Sequence, residues 1–209
     1  YTHPDDPENI WISTCGRGGP GYEVKIWDGD NRDEEAAAGT TGEIGGRGAA
    51  LMLGYYANQS ATENTFNRHG YMMSGDLGSF DAGGNLRIEG RVKDLIIRGG
   101  HNIYPSQIEA RALTHPAVSK AAAFPVPDER LGEKVCLAII GKVTAEDMLA
   151  HLGREGLSKF DMPEWYLTLD ELPLTPSGKI LKRELTEMAK RGEIKPAMVR
   201  YAEKKEPAS

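Results

Sequence analysis

Apolar and polar residues alternate from Tyr22 to Trp27, with Tyr22, Val24 and Ile26 on one side and Glu23, Lys25 and Trp27 on the other. That period of two predicts a half-buried strand. Asp81-Ala82-Gly83-Gly84-Asn85, between Phe80 and Leu86, predicts a hairpin turn, with a short strand following over Arg87–Glu89. Beyond Arg91 the pattern becomes mixed. Residues 94–97, 118–124, 135–140 and 165–169 are apolar strand candidates. Pro105 is well placed in the first turn of a helix running to about Leu113. Thr144 and Asp147 make a capping pair, and Ala145, Met148, Leu149 and Leu152 follow at i, i+3, i+4 and i+7. Leu181, Leu185 and Met188 form the stripe of a last helix, which places Lys179 at its head behind Pro176-Ser177-Gly178. The chain therefore divides near Arg91 into a strand-rich part and a small mixed α/β part, α+β as a whole. After Gly192, cations at 195, 200, 204 and 205 nearly balance acids at 193, 203 and 206, which predicts a polar, frayed tail without a useful charged patch.

Composition narrows the classes. At 209 residues the chain exceeds one ordinary domain, and 39% hydrophobic with 27% charged residues is typical of globular proteins. A formal charge of −6 argues against nucleic-acid binding, which needs a basic surface. No apolar run approaches the roughly 20 residues of a transmembrane segment. The start, with His3, Asp5, Asp6 and Glu8, is unlike a signal peptide, so a cytoplasmic location is expected. Cys15 and Cys136 lack the spacing of a metal site or a redox pair. Asn58-Gln59-Ser60 fits a glycosylation acceptor, which means nothing without secretion.

Three glycine-containing stretches imitate nucleotide loops. Gly16–Gly21 satisfies GxGxxG, but Pro20 interrupts it and a strand follows, where a dinucleotide site needs a helix. Gly39-Thr40-Thr41-Gly42 looks like the core of a phosphate loop, but Glu43-Ile44-Gly45 follows without the required cation, so a surface turn is expected. Around Lys179 a Walker A reading fails, because Ile180 stands where Ser or Thr belongs and Pro173 where the first Gly belongs.

Three segments carry chemistry together: YMMSGDLG (71–78), GRVKDLIIRGGHNIYPSQIEA (90–110) and LPLTPSGKILKREL (172–185). Alone, Lys179 reads as a solvated lysine, Asp76 as a turn cap, Arg91 as half of a surface ion pair and Gly99-Gly100 as a plain hairpin turn. In this order, with GEIGGRGAALMLGYY (42–56) and FPVPDERLGE (124–133), the segments closely resemble the C-terminal signature of the acyl-adenylate-forming enzymes, nearest to the AMP-forming acyl-CoA synthetases. The likeness runs from about Ile10 to Ala189.

What the resemblance implies is specific. Residues 1–92 correspond to the strand-rich end of a large N-terminal adenylating domain, 93–192 to a mobile C-terminal domain and 193–209 to a tail. The family's ATP phosphate loop, adenine site and acyl pocket lie in a larger N-terminal part, so the chain is expected to be a C-terminal fragment, inactive alone. Asp76 would hold the ATP ribose, its two oxygens taking both hydroxyls of the diol, and Arg91 would offer its planar fork to phosphate. Lys93 matches the hinge about which the C-terminal domain rotates between half-reactions. Gly99 and Gly100 would line the path of the CoA pantetheine arm, where a side chain obstructs. Lys179 would neutralise charge as the carboxylate attacks the α-phosphate. The thiol of CoA then displaces AMP. His101 is left out of the catalytic set, because no acidic partner is visible for it and the family gives it no proton transfer. The implied small molecules are a carboxylic acid, ATP and CoA, with Mg²⁺ arriving with ATP and bound mainly outside residues 1–209. Two alternatives stay open, an adenylation domain that loads a carrier protein and a non-catalytic interaction domain.

Overall fold

The computed structural model describes residues 1–201, and these fall into two compact units, Tyr1–Lys93 and Asp94 onwards. In the first unit a short helix α1 (Glu8–Ser13) precedes strand β1 (Tyr22–Trp27) and strand β2 (Gly42–Gly48). Helix α2 (Gln59–Thr65) then leads to β3 (Met72–Phe80) and β4 (Leu86–Arg91). The four strands form an antiparallel meander in the order β1-β2-β3-β4. The expected strands at β1 and β4 are present, and the turn between Phe80 and Leu86 closes as expected. There the Asp81 carboxylate accepts from the backbone N–H groups of Gly83 and Asn85, both at 2.9 Å. Trp27, however, is buried although its alternation partners Glu23 and Lys25 are polar. Its ring stacks on His69 and meets Tyr71 edge-on, so both faces of that strand end are covered.

Strand β2 is invisible to periodicity, because four of its seven residues are glycine. Packing explains why glycine is tolerated in a strand. A Cβ at Gly45 would lie 2.4 Å from the Trp27 indole nitrogen, and one at Gly46 would lie 2.2 Å from the Tyr22 hydroxyl oxygen. The aromatic rings of β1 pack close against the bare backbone of β2.

A 3₁₀ turn over Val92–Asp94 spans the boundary between the units, so Asp94, where the start of a strand was expected, belongs to the turn; the strand β5 itself is Ile96–Arg98. Strand β6 (His101–Ile103) folds back on it, and helix α3 (Pro105–Leu113) begins with Pro105 in its first turn. Strands β7 (Val118–Asp128) and β8 (Gly132–Gly141) make a long antiparallel pair, longer at both ends than their apolar centres. Helix α4 (Ala145–Arg154) starts at the expected cap. The Thr144 hydroxyl oxygen accepts from the Asp147 N–H at 3.2 Å, while the hydroxyl donates to the Asp147 carboxylate at 2.7 Å.

Strand β9 (Trp165–Thr168) runs parallel to β8, and helix α5 (Lys182–Lys190) precedes β10 (Ala197–Met198). One apolar cluster, with Ile96, Ile108, Leu137, Met148 and Leu152, lies between the sheet and helices α3 and α4. A second, with Phe124, Cys136, Leu172 and Leu185, lies on the α5 side. The segment after Gly192 corrects the expectation of a frayed tail. Ile194 is buried, β10 pairs with Tyr166 and Trp165 at the sheet edge, and the Val199 N–H donates to the Glu164 carbonyl at 2.8 Å. The charges at 203–206 lie outside the described residues.

Candidate functional site

Asp76 and Arg91 sit at paired positions of the β3–β4 ladder. Their side chains meet, with Arg91 Nε 3.3 Å from Asp76 Oδ1, and both stay partly exposed. The Asp76 N–H donates to the Ser74 hydroxyl oxygen at 3.0 Å, which settles the strand around the irregularity at Gly75. Gly78 serves the sheet rather than a ligand, since a Cβ there would lie 2.6 Å from the Arg87 carbonyl oxygen. An acceptor-only carboxylate next to a planar guanidinium can take hydroxyl donors and anionic oxygens side by side.

Lys93 is exposed in the 3₁₀ turn, the last residue of the first unit. In the second unit, Gly99 and Gly100 form the two-residue loop between Arg98 and His101, with φ +59° and +86°. Positive φ at both central positions is the type I′ hairpin turn. The Gly99 N–H donates to the Leu131 carbonyl at 2.8 Å, and a Cβ on Gly99 would come within 3.1 Å of the Leu131 side chain. A Cβ on Gly100 would meet nothing within 4 Å.

Lys179 does not head the helix, as its stripe suggests. Thr175, Pro176, Ser177 and Gly178 make a turn closed by Gly178 N–H to Thr175 O at 2.8 Å, with Gly178 at φ +83°. Thr175 N–H then donates to Lys179 O at 2.7 Å, and Leu174 bridges to Ile180. This is a three-residue hairpin loop with glycine in the left-handed position. Gly178 supplies the left-handed backbone that this loop needs. Lys179 rides the return arm, exposed, and no carboxylate pairs with it among the described residues. An unpaired ammonium on a braced loop is available to a mobile anion.

His101 has the acidic partner that its sequence neighbourhood hides. Its Nε2 lies 2.8 Å from Asp161 Oδ1, sixty residues away. Sequence reasoning also missed a cavity of about 830 Å³ lined by Leu131, Lys134, Lys159, Phe160, Trp165 and Arg200, among others. The available signal was Lys159-Phe160, an aromatic beside a cation in a polar stretch; Phe160 is 62% exposed. Cys136 is no nucleophile, since burial pushes its thiol pKa well up. Among the described residues no group of three His, Cys, Asp or Glu side chains could hold a metal ion, and no helix is long and apolar enough to cross a membrane.

Known proteins resemble this chain over most of its length. Residues 107–179 match the family of the AMP-binding enzyme C-terminal domain. The chain is 35% identical over 183 residues to medium-chain fatty-acid–CoA ligase of Escherichia coli, covering 85% of this chain and 32% of that protein. It is 36% identical over 189 residues to salicyl-AMP ligase / salicyl-S-ArCP synthetase of Mycobacterium tuberculosis, covering 88% of this chain and 33% of that one. The solved structure of o-succinylbenzoate CoA synthetase from Bacillus subtilis, in complex with its acyl-adenylate intermediate, matches with a TM-score of 0.77 at 32% identity, over 86% of this chain and 37% of that one. The chain belongs to the superfamily of adenylate-forming ligases. It spans about a third of the length of the curated relatives that it matches.

Proposed function

We propose that this chain is the C-terminal part of an ATP-dependent, AMP-forming carboxylic acid–CoA ligase. Asp76 holds the ribose hydroxyls of ATP, Arg91 meets its phosphates, and Lys179 neutralises charge on the carboxylate and α-phosphate as acyl-adenylate and pyrophosphate form. Lys93 is the pivot between half-reactions. Gly99 and Gly100 leave room for the pantetheine arm as the CoA thiol attacks the acyl-adenylate carbonyl and AMP departs. Mg²⁺ comes with ATP, and no step here runs through it.

The observation that carries the reading is the Asp76–Arg91 pair at adjacent strand positions, which suits a nucleotide's diol and phosphate together. The cationic, aromatic-walled cavity supports CoA as the thiol. It adjoins the glycine turn through Leu131, and Lys159, its Nζ 5.4 Å from the Phe160 ring centroid, with Arg200 in the same lining, suits a phosphate and a purine. Loading of a carrier protein is the second reading, favoured by the name of the salicyl-AMP relative.

The test is acid-dependent ATP–pyrophosphate exchange by the full-length ligase, followed by thioester formation offered with free CoA or with a phosphopantetheinyl carrier. Exchange with transfer to CoA is expected. Transfer to the carrier alone would favour the second reading, and no exchange with any acid would leave a non-catalytic domain. The 209 residues alone should catalyse no exchange; measurable exchange would overturn the assignment of nucleotide cradle and acyl pocket to a further segment.

A further inference from the structure

Helix α5 starts with the wrong charge. Lys182 occupies its first position, where the helix end carries partial positive charge and disfavours a cation. The Lys182 side chain is nevertheless only 20% exposed, with its Nζ 2.7 Å from Glu109 Oε1. Glu109 lies on α3, 17% exposed, and the same oxygen accepts from the Ala123 N–H of β7 at 2.8 Å. One carboxylate thus joins α3, the outer edge of β7 and the start of α5.

We infer that Glu109 is a positioning residue for Lys179, acting through Lys182; the inference rests on the reading of Lys179 given above. Leu185 in the core and the Thr186 hydroxyl, which donates to the Pro125 carbonyl at 3.1 Å, fix how deep α5 lies. Neither holds the end that faces the hairpin. From Lys182 back to Lys179 there is no slack. The Leu181 N–H donates to the Pro173 carbonyl at 2.8 Å, Ile180 bridges Leu174, and the Lys179 carbonyl accepts from Thr175. A lateral shift at Lys182 is therefore passed to the Lys179 backbone. Both members of the pair are largely covered, so salt screens it weakly.

The experiment uses the full-length ligase and three variants, each assayed in both half-reactions. Glu109→Gln keeps an oxygen for the Ala123 N–H but loses the charge, and Lys182→Met keeps the apolar stem but loses the ammonium. Each should slow adenylation about tenfold, a small misplacement of a charge donor, and leave thioester formation from supplied acyl-adenylate unchanged. The double variant should be no worse than either single one, because both break the same link. Lys179→Ala is measured beside them. If both half-reactions fall together in the Glu109 and Lys182 variants, or neither falls, the pair is only structural and the inference is wrong. If Lys179→Ala spares adenylation, the catalytic lysine itself is misassigned and the inference falls with it, an outcome that the Lys179 variant reports independently. Should Glu109→Gln fail to fold, Lys182→Met decides alone, since Glu109 keeps its backbone partner there.

Discussion

Gly100 separates two explanations of the same glycine. As a hairpin residue it is needed for φ +86°; as a channel residue it is needed for the absence of a side chain. Alanine at this position meets no crowding, because nothing lies within 4 Å of the added Cβ, so its cost is the left-handed backbone alone. That is about 1–2 kcal/mol. For a unit of about 100 residues it corresponds to a fall in Tm of roughly 5–15 °C. Asparagine visits the left-handed region more readily than alanine, so Gly100→Asn should cost less stability although its side chain is larger. Calorimetric melts of the 209-residue chain test this order. In the full-length ligase the order should invert: Gly100→Asn should impair thioester formation more than Gly100→Ala, with adenylation spared in both. If thioester rates instead rank with Tm, Gly100 is a turn residue and its assignment to the CoA path is wrong. If Gly100→Ala melts with the parent chain, the backbone argument itself fails.

Lys179→Ala should slow adenylation by at least ~10²-fold, the usual cost of removing one preorganised charge donor, and barely move Tm, since the lysine is exposed and unpaired. Comparable loss in both half-reactions would refute it. Lys93→Pro should hinder thioester formation far more than adenylation, because proline fixes φ near −65°; single-turnover assays giving equal losses would remove Lys93 as the pivot. The hydrogen bond from Lys134, helped by the Leu131 N–H, holds the Asp128 carboxyl below the usual aspartate range. A lowered folded pKa means stability that is present above the unfolded value and lost as pH falls through the folded one. Asp128→Asn should therefore be less stable than the parent at neutral pH, and denaturant titrations should show the gap closing on acidification. A gap that widens in acid would reverse the sign of the argument.

Much of the second unit is legible in its sequence, because its helices bury one face and its two long strands have apolar centres. Thr144, Pro105 and the Met148-Leu149-Leu152 stripe mark their elements within a residue or two. Strand β2 is not legible, since the glycines that admit the rings of Trp27 and Tyr22 erase the alternation that announces a strand. The tail is misread for a different reason. The charges at 193, 195 and 200 draw attention away from Ile194, Val199 and Tyr201, which pack against the apolar clusters, and from the main-chain pairing of β10 to β9, which no side-chain pattern reports. At the site, Asp76, Arg91 and Lys179 are recognisable from their motifs, whereas Asp161 beside His101 and Glu109 beside Lys182 depend on contacts across 60 and 73 positions of chain.

The placement of the candidate residues explains why these tests can separate function from folding. Asp76 and Arg91 lie partly exposed on paired strands, Lys93 in a 3₁₀ turn, and Lys179 on a hairpin arm; none has its side chain in an apolar cluster. Removing an exposed charge costs little stability, so a large loss of rate in such a variant has to be assigned to chemistry or to rotation. Glu109 is different. It is largely covered and bonded to the core strand β7, so a stability loss is expected along with any loss of rate. For that residue the ratio of the two half-reactions carries the information, because unfolding removes both activities equally while misplacing one lysine removes only the step that the lysine serves.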